Sequence, residues 1–330
     1  MEGTDTIQWL NEGDVSIKYQ VFRDLLGEDR PELQQKIRKE GWGAQFLKHQ
    51  NYNGHWGKSY YNPKWISTQY TLLTLKNLGI DKNVPSILSI LDTLLYQDRN
   101  FEASQKELNR SILYDDVCVN GMFLNFASYF LGEDVKFMGI IDFILSQQMD
   151  DGGFNCMKNR SGARHSSMHS TLSVLEGLSE YLKQGNTYRE EDVSRKIKEA
   201  EEFLLMHKLF LSDRTGHVIN EAFLKFPYPC RWRYDVMRAM DYFQSAERPY
   251  DSRMEPAIDY VLSRRTENGR WKLNAKYPGK HFFIMEKAGK ESRINTLRAL
   301  RIMKRYLGNT GFDLVYDDLF NLSAEATSHM

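Results

Sequence analysis

The chain has 330 residues, of which 41% are hydrophobic, with 44 Lys+Arg and 44 Asp+Glu, so its formal net charge is zero. A neutral chain has no global field to attract nucleic acid, and this composition is ordinary for a globular protein. The start, MEGTDTIQWLNEGD, lacks a secretory signal pattern and no stretch is long enough for a membrane span, so the sequence predicts a cytoplasmic protein.

Six segments are apolar on more than one face, as is typical of helices packed on both sides. We call these the predicted inner helices: Ser16–Leu26, Ile66–Leu78, Val117–Leu131, Met168–Leu182, Trp232–Gln244 and Arg293–Leu307. Several are followed directly by Gly, the usual residue just past a helix end.

Between them lie segments with a narrower apolar stripe and a charged opposite face, which favours helices on the outside of the fold. These predicted outer helices are Glu32–His49, Val84–Tyr96, Val135–Gln148, Asp192–His207 and Arg253–Arg264. Asp134 stands where the N-cap of the third is expected, and Asp251 or Ser252 where that of the fifth is expected.

A short pattern recurs after three of the outer helices. Gln50 leads to Gly54-x-Trp56, Gln148 leads to Gly152-Gly153-Phe154, and Arg265 leads to Gly269-x-Trp271. A repeat of roughly fifty residues built as helix, Gly/aromatic turn and helix predicts stacked helical hairpins. The fold expected is an all-α (α/α)6 toroid of six inner and about six outer helices, with residues 1–312 as one domain and 313–330 as a tail.

An alternating ring of this kind leaves a central cavity, which we expect to be lined by inner-helix N-termini and long loops. Aromatic residues expected in that cavity are Trp65, Tyr70, Trp232 and Tyr234.

The Gln…Gly-x-Trp/Phe turns resemble the QW repeats of squalene-hopene cyclases and their relatives. Ser67-Thr68-x-Tyr70-Thr71-Leu72 and His169-Ser170-Thr171-Leu172 resemble inner-helix starts of the same superfamily, which includes protein prenyltransferase β subunits. The stretch WRYDVMRAMDYF resembles an uncharacterised bacterial branch of it. The resemblance implies a toroid that acts on a hydrophobic or prenyl substrate, without a cofactor.

The acid motif of the cyclases is similar to Leu113-Tyr114-Asp115-Asp116, with Leu113 in place of its first Asp. The resemblance implies that Asp115 is the general acid and Asp116 its neighbour. The alternative is that the two carboxylates cap the following helix.

The zinc site of protein prenyltransferases is not preserved, because Cys230 has Tyr228 where the family has Asp and no His follows at Glu291-Ser292-Arg293. Lys225 matches the family's diphosphate lysine, and the resemblance implies a phosphate clamp there with the nearby Arg231, Arg233 and Arg238.

The following segment, Arg231 to Asp235, carries cations, aromatics and a carboxylate into an inner helix. It predicts either a polar floor in which Arg231, Arg233, Tyr234 and Asp235 face the cavity, or an internal salt bridge of Asp235 with Arg231 or Arg238.

His165 and His169 are four residues apart and would share a face if helical; a pocket wall is expected there, and no metal. From residue 217 to residue 310 the chain has 19 Lys+Arg against 10 Asp+Glu, which predicts basic outer faces or an anionic ligand. Three cysteines without CxxC spacing argue against a disulfide framework.

Three functions remain open from the sequence. The first is an enzyme acting on a terpenoid or prenyl substrate. The second is a carbohydrate-active hydrolase or lyase using Asp115, Asp116 and Asp235. The third is a non-catalytic toroid that binds a lipid or a partner.

Overall fold

The computed structural model describes residues 2–99 and 116–308, and its regular secondary structure is helical. In chain order the helices are α1 (Glu2–Asn11), α2 (Val15–Gln20), α3 (Pro31–Ile37), α4 (Gly41–Lys48), α5 (Thr68–Asn77), α6 (Pro85–Arg99), α7 (Val117–Leu131), α8 (Met138–Ser146), α9 (Lys158–Ser161), α10 (Met168–Lys183), α11 (Glu190–Met206), α12 (Val236–Ser245), α13 (Glu255–Ser263) and α14 (Arg293–Tyr306). Short 3₁₀ turns cover Val135–Phe137, Glu221–Leu224 and Ser252–Met254. Strand-like pairing in the described ranges is limited to isolated bridges.

Six inner helices form a closed ring: α2 with its π-helical continuation Val21–Leu26, then α5, α7, α10, α12 and α14. The ring closes between the last helix and the first, where Arg301 Nη2 donates to Gln20 Oε1 at 2.6 Å. The all-α fold and the (α/α)6 toroid are therefore confirmed. No helix within the described ranges has the length and apolar character needed to cross a bilayer.

Helix α1 supplies the outer helix that the sequence patterns missed. Thr6 Oγ1 donates to the carbonyl of Asn268 at 3.3 Å, so α1 lies against the third Gly/aromatic turn. The outer layer consists of α1, the pair α3 and α4, α6, α8, α11 and α13.

The glutamine of the repeated turn joins its own hairpin to the next one. Gln50 Nε2 donates to the carbonyl of Gly54 at 2.8 Å and to that of Ser86, in α6, at 3.2 Å. Gln148 Nε2 makes the same pair of bonds, to Gly152 at 2.6 Å and to Lys196, in α11, at 3.1 Å. These turns are therefore structural joints of the ring.

The aromatic residue of each turn is tied to an inner helix. The backbone N–H of Trp56 donates to Thr68 Oγ1 at 3.0 Å, and that of Trp271 donates to Thr296 Oγ1 at 3.0 Å. The Trp56 indole also donates to the carbonyl of Phe46 at 2.7 Å, and its side chain is fully buried. Buried indoles whose N–H groups are satisfied fix the orientation of each hairpin.

Two predicted boundaries differ from the structure for backbone reasons. The predicted outer helix Glu32–His49 is two helices, because Gly41 has φ of 61° and breaks the chain direction between α3 and α4. The fifth inner helix begins at Val236 instead of Trp232, since Asp235 has an extended backbone (φ −148°, ψ 159°) and accepts from the Arg238 N–H as the N-cap.

Helices α7 and α10 approach more closely than side chains would allow, because glycines face each other between them. A Cβ on Gly121 would lie 2.6 Å from the carbonyl oxygen of Ser173 and 2.7 Å from Val174 Cα. The Gly177 Cβ position is likewise blocked by the backbone of Gly121. This contact places the start of α7 beside the start of α10.

The cysteine expectation is corrected, because Cys118 and Cys156 form a disulfide between positions 38 residues apart. Cys230 is a buried free thiol. The three cysteines therefore form one disulfide and leave one free thiol.

Part of the basic excess of the C-terminal third lies where α14 meets its neighbouring inner helices. Arg301 forms an ion pair with Asp24, and Arg298 Nε lies 3.3 Å from Asp241 Oδ2. Lys304 Nζ donates to the carbonyls of Asp24 at 3.0 Å and Leu25 at 2.8 Å. These cations satisfy carboxylates and helix-end carbonyls of neighbouring inner helices. Other cations of this region are exposed, among them Lys225, Arg264, Lys272 and Lys287, so basic outer faces are present as well.

Candidate functional site

Two loops meet at the N-terminal end of the inner helices and form a cleft. The first loop precedes α5 and carries Tyr61, Lys64 and Trp65; the second precedes α12 and carries Arg231, Trp232 and Arg233. We call these six residues, with His169 of the first turn of α10, the cleft.

Each cation of the cleft lies over an aromatic ring. The Arg231 guanidinium carbon is 4.5 Å from the centre of the Trp65 ring, and that of Arg233 is 4.8 Å from the Trp232 ring. Lys64 Nζ lies 5.2 Å from the Trp65 ring, 5.5 Å from the Trp232 ring and 5.9 Å from the Tyr61 ring. Such contacts stabilise a cation without neutralising it.

The three cleft cations differ from those of the ring seam in their partners. Among the carboxylates of residues 2–99 and 116–308, none forms an ion pair with Lys64, Arg231 or Arg233. Burial lowers the pKa of Arg231 to about 10, against the raising effect of Tyr70. Burial, and after it the positive charge of Arg233, lowers the pKa of Lys64. Both shifts have the sign expected when burial of a positive charge outweighs the negative groups near it.

The hydroxyls of Tyr61 and Tyr70 lie 2.9 Å apart, where the cleft meets the interior of the ring. Burial raises the pKa of Tyr70, and the neighbouring Tyr61 raises it further. The pKa of Tyr61 is raised by burial despite its hydrogen bond to Tyr70. Both phenols are therefore neutral near pH 7 and can donate a proton.

His169 is held in one tautomer by the backbone. The N–H of Tyr234 donates to His169 Nδ1 at 2.7 Å, and because an amide N–H can only donate, Nδ1 carries no proton. The proton of the neutral ring is on Nε2. Burial, then the charges of Arg238 and Arg233, lowers the pKa of His169 to about 4. The ring is therefore a hydrogen-bond donor at neutral pH, with no basic nitrogen free for a ligand.

We expect His169 to titrate at about pH 4 and to show the Nε2–H tautomer at pH 7 in ¹⁵N-resolved NMR spectra. An unfolded histidine titrates near 6.5, so between these values the unfolded chain binds more protons and stability falls as the pH falls. Urea unfolding at several pH values should show this loss, and His169→Asn should reduce it. A midpoint above 6 would contradict the assignment.

A third loop, which precedes α14 and carries Tyr277 and Pro278, covers the cleft. Trp65 Nε1 donates to the carbonyl of Pro278 at 2.8 Å, and the Arg233 guanidinium lies 4.5 Å from the Tyr277 ring. The other end of this loop is fixed by Glu286, which accepts from the Arg293 N–H at 2.7 Å. The loop therefore holds the indole and one cation in place.

Two nitrogen donors of the cleft are buried without a hydrogen-bond partner in the described part of the chain: Trp232 Nε1 and Arg233 Nε. Leaving such donors unpaired is costly, so they favour a ligand or water at this place.

Below the cleft, the centre of the ring holds a cavity of about 1020 Å³. Tyr70 and Arg231 belong to its wall, which continues along the inner helices to their C-terminal ends. Much of the wall is charged and internally paired: Arg238 Nη2 lies 2.6 Å from Glu176 Oε2, and Lys76 Nζ lies 3.0 Å from Glu180 Oε2. This wall differs from the expected aromatic one, because ion pairs between neighbouring helices occupy it.

Several predicted site residues lie elsewhere. Tyr234 is buried with its hydroxyl donating to the carbonyl of Leu209, and Asp235 is fully buried as the N-cap of α12. Neither faces the cavity, because capping and packing of α12 occupy them. Asp235 pairs with Arg298 at 4.0 Å, and Arg238 pairs with Glu176, so the structure forms neither of the expected salt bridges of Asp235 with Arg231 or Arg238.

The other predicted site residues also lie outside the cleft or outside the described residues. Lys225 is exposed and is absent from the cavity wall. His165 is exposed and precedes α10, so it shares no helical face with His169. Asp115 and the predicted tail lie outside the described residues. Asp116 forms an ion pair with Arg160.

The sequence interpretation placed Trp65, Tyr70, His169, Arg231, Trp232 and Arg233 at a site, and the structure brings them together. It missed Tyr61, Lys64 and Tyr277. The available signal was the loop segment Tyr60-Tyr61-Asn-Pro-Lys64-Trp65, where aromatics flank a lysine just before an inner helix.

Comparisons with known proteins add little to this geometry. The chain is similar to a solved structure described as a polysaccharide lyase, with a TM-score of 0.47 and 14% sequence identity over 93% of this chain and 97% of that chain. We infer no function from a similarity of this size. No family model matches the chain, and no curated protein matches it.

Proposed function

We propose that the cleft binds an acidic saccharide. The observation that carries the proposal is the set of three cations, Lys64, Arg231 and Arg233, held by aromatic rings and left without carboxylate partners in the described residues. A cation already paired with a carboxylate must exchange that partner for a ligand. One held over a ring keeps its charge available, and a guanidinium suits a planar carboxylate.

Neutral donors beside the cations favour a ligand rich in hydroxyls. The Tyr61 hydroxyl, His169 Nε2–H and the unpaired Trp232 Nε1–H offer hydrogen bonds that carry no charge. A prenyl diphosphate would also need an apolar channel beside the cations. The cavity next to Arg231 is instead lined by ion pairs such as Arg238–Glu176. These features support a saccharide over a terpenoid substrate.

Kinship with the squalene-cyclase superfamily remains a proposal supported by the turns. The paired bonds of Gln50 and Gln148 and the buried indoles give those turns a joining role. Turns that only join hairpins do not determine the reaction of a protein. Kinship with the squalene-cyclase superfamily is therefore compatible with carbohydrate chemistry.

Of the two carbohydrate reactions, elimination suits these residues better than hydrolysis. Hydrolysis uses two carboxyl groups on either side of the scissile bond. Here Asp116 is paired with Arg160, and Asp235 is buried as a helix cap. We therefore do not assign the acid and base of a hydrolase to them.

Elimination from a uronate needs a cation at the sugar carboxylate, a base and a proton donor. We assign the first role to Arg231 and Arg233 and the third to the Tyr61 hydroxyl. The second belongs to Lys64, whose lowered pKa lets it give up its proton and act as the base. Lys64 removes the proton next to the carboxylate, and its electron pair forms the carbon–carbon double bond. The glycosidic C–O bond breaks, and the leaving oxygen takes the Tyr61 proton. The step is redox-neutral.

Binding of oligogalacturonate, measured by calorimetry, tests the proposal. Arg231→Gln and Arg233→Gln should each weaken binding by about tenfold or more, since a hydrogen bond to a charged group contributes about 1.5–3 kcal/mol. Lys58→Gln, an exposed lysine of the same loop, should bind as the unchanged protein does. Appearance of an ultraviolet-absorbing unsaturated product, lost in Tyr61→Phe, would identify elimination.

Two results would contradict the proposal that the cleft binds an acidic saccharide. A protein that ignores oligogalacturonate but binds a prenyl diphosphate through Arg231 would favour the terpenoid function. Equal binding of a neutral oligosaccharide would refute the role of the three cations.

A further inference from the structure

A small side pocket lies beside the cleft, under the third loop. Its volume is about 50 Å³, and its wall is formed by residues of that loop together with Tyr228, Pro229 and Arg231. Arg231 also belongs to the wall of the central cavity. A ligand carboxylate bound by Arg231 is therefore next to the side pocket.

Much of the wall of the side pocket is apolar. The side chains of this kind that the chain supplies after the helix α13 are Leu273, Phe283, Ile284 and Met285. Ile284 is 54% exposed, so the protein itself leaves this part of the wall uncovered. An apolar group of a ligand would gain free energy by covering it.

The charged residues of the wall favour an uncharged occupant. Glu286 already accepts from the N–H groups of Arg293 at 2.7 Å and Ile294 at 3.4 Å, and an anionic group in the pocket would face its carboxylate. Arg231 and Lys276 can donate hydrogen bonds to a neutral acceptor. The pocket therefore suits a group that combines an apolar part with a carbonyl oxygen.

The third loop is held in place from two sides, so the pocket exists before a ligand binds. The Phe282 ring stacks on the His49 ring at 4.5 Å, and the Phe283 ring lies 4.7 Å from the Phe46 ring. A Cβ on Gly279 would lie 2.2 Å from Trp65 Cδ1, so the loop also fits closely against the cleft. A preformed pocket has little ordering cost on binding.

The size of the side pocket limits what can occupy it. Roughly 10–15 Å³ of such volume holds one water-sized group, so about 50 Å³ holds about four non-hydrogen atoms. A sugar ring is too large. An acetyl group, with two carbons and a carbonyl oxygen, fits: its methyl contacts the apolar wall and its oxygen accepts from Arg231.

We propose that the side pocket binds an O-acetyl group of the acidic saccharide, on a hydroxyl next to the carboxylate that Arg231 holds. The identity of the saccharide rests on the proposed function, which is narrowed to acetylated acidic saccharides. A methyl ester of the carboxylate has a similar size, but it removes the charge that Arg231 and Arg233 bind. The acetyl group satisfies both the side pocket and the cleft.

Calorimetry with oligogalacturonate, and with the same oligogalacturonate O-acetylated by acetic anhydride, measures the preference. The acetylated ligand should bind about fourfold more tightly, the effect of burying one methyl group. Ile284→Trp should abolish the difference, because an indole at this position of the wall fills the pocket. Ile219→Trp is the matched control, since Ile219 is 41% exposed and lies outside the walls of both cavities, and it should keep the fourfold preference.

Methyl acetate tests the side pocket without a saccharide. In ¹³C-resolved methyl NMR spectra, the Ile284 signals should shift as methyl acetate reaches millimolar concentrations, the range expected for a ligand of so few atoms. The Ile219 signals should stay in place.

Three results would overturn the proposal: unchanged Ile284 signals with methyl acetate, equal or weaker binding of the acetylated ligand when the plain one binds, or tighter binding of O-sulfated than of O-acetylated oligogalacturonate. If the Ile284 signals shift but neither saccharide binds, the proposed function is refuted, and the pocket is an acyl site for a different ligand.

Discussion

Replacing Gly121 with Ala is expected to destabilise the protein by about 3 kcal/mol, near the upper end for overpacked cores. The new Cβ would lie 2.6 Å from the Ser173 carbonyl oxygen, 2.7 Å from Val174 Cα and 2.9 Å from Val174 N. All three are backbone atoms of α10, so no rotamer change relieves the overlap and the helices must move apart. Urea denaturation followed by circular dichroism measures the effect.

Gly139→Ala is the matched control, because Gly139 is also helical but nothing within 4 Å meets its Cβ. Ala is favoured over Gly in helices by roughly 0.5–1 kcal/mol. This variant should therefore be as stable as the unchanged protein or slightly more so. Equal stability losses at Gly121 and Gly139 would contradict the close contact of α7 and α10.

The second large effect is expected for Trp56→Ala, with a loss of about 3–5 kcal/mol in the free energy of unfolding. The side chain is fully buried, and its indole N–H is bonded to Phe46. Removing it leaves a void where the first turn meets α5. Thermal and urea denaturation should both detect the loss.

Tyr52→Ala in the same turn serves as the comparison, because the Tyr52 side chain is fully exposed. It should change stability by less than about 0.5 kcal/mol. If Trp56→Ala were no more harmful than this control, the turn would not act as a joint between hairpins.

Periodicity explains how much of the fold was predictable. The apolar patterns predicted all six inner helices, and the repeated turns predicted their arrangement in hairpins. Local backbone conformations escaped this reasoning. The positive φ of Gly41 and the extended backbone of the N-cap Asp235 interrupt helices that the patterns extend, and no periodic signal marks such positions.

The candidate site was partly predictable because aromatic and cationic residues are conspicuous in sequence. Their pairing was not, since Lys64 and Trp232 are far apart in the chain and meet only in the closed ring. Tyr234 and Asp235 looked functional for the same chemical reasons as their neighbours, yet a helix start needs a capping carboxylate. The Cys118–Cys156 bridge depends on spatial proximity, which the spacing does not reveal.

The seam of the ring has a consequence for synthesis of the chain. Gln20 and Asp24 bind Arg301, about 280 positions later, so this partner does not exist while the N-terminal helices emerge from the ribosome. Hairpins joined by Gln50 and Gln148 can form as they appear, because their contacts are local. Contacts between the two ends of a chain form last and slow folding. Until α14 is synthesised, the inner helices of the nascent chain therefore form an incomplete ring. The side of the first inner helix that faces α14 lacks its packing partner until then.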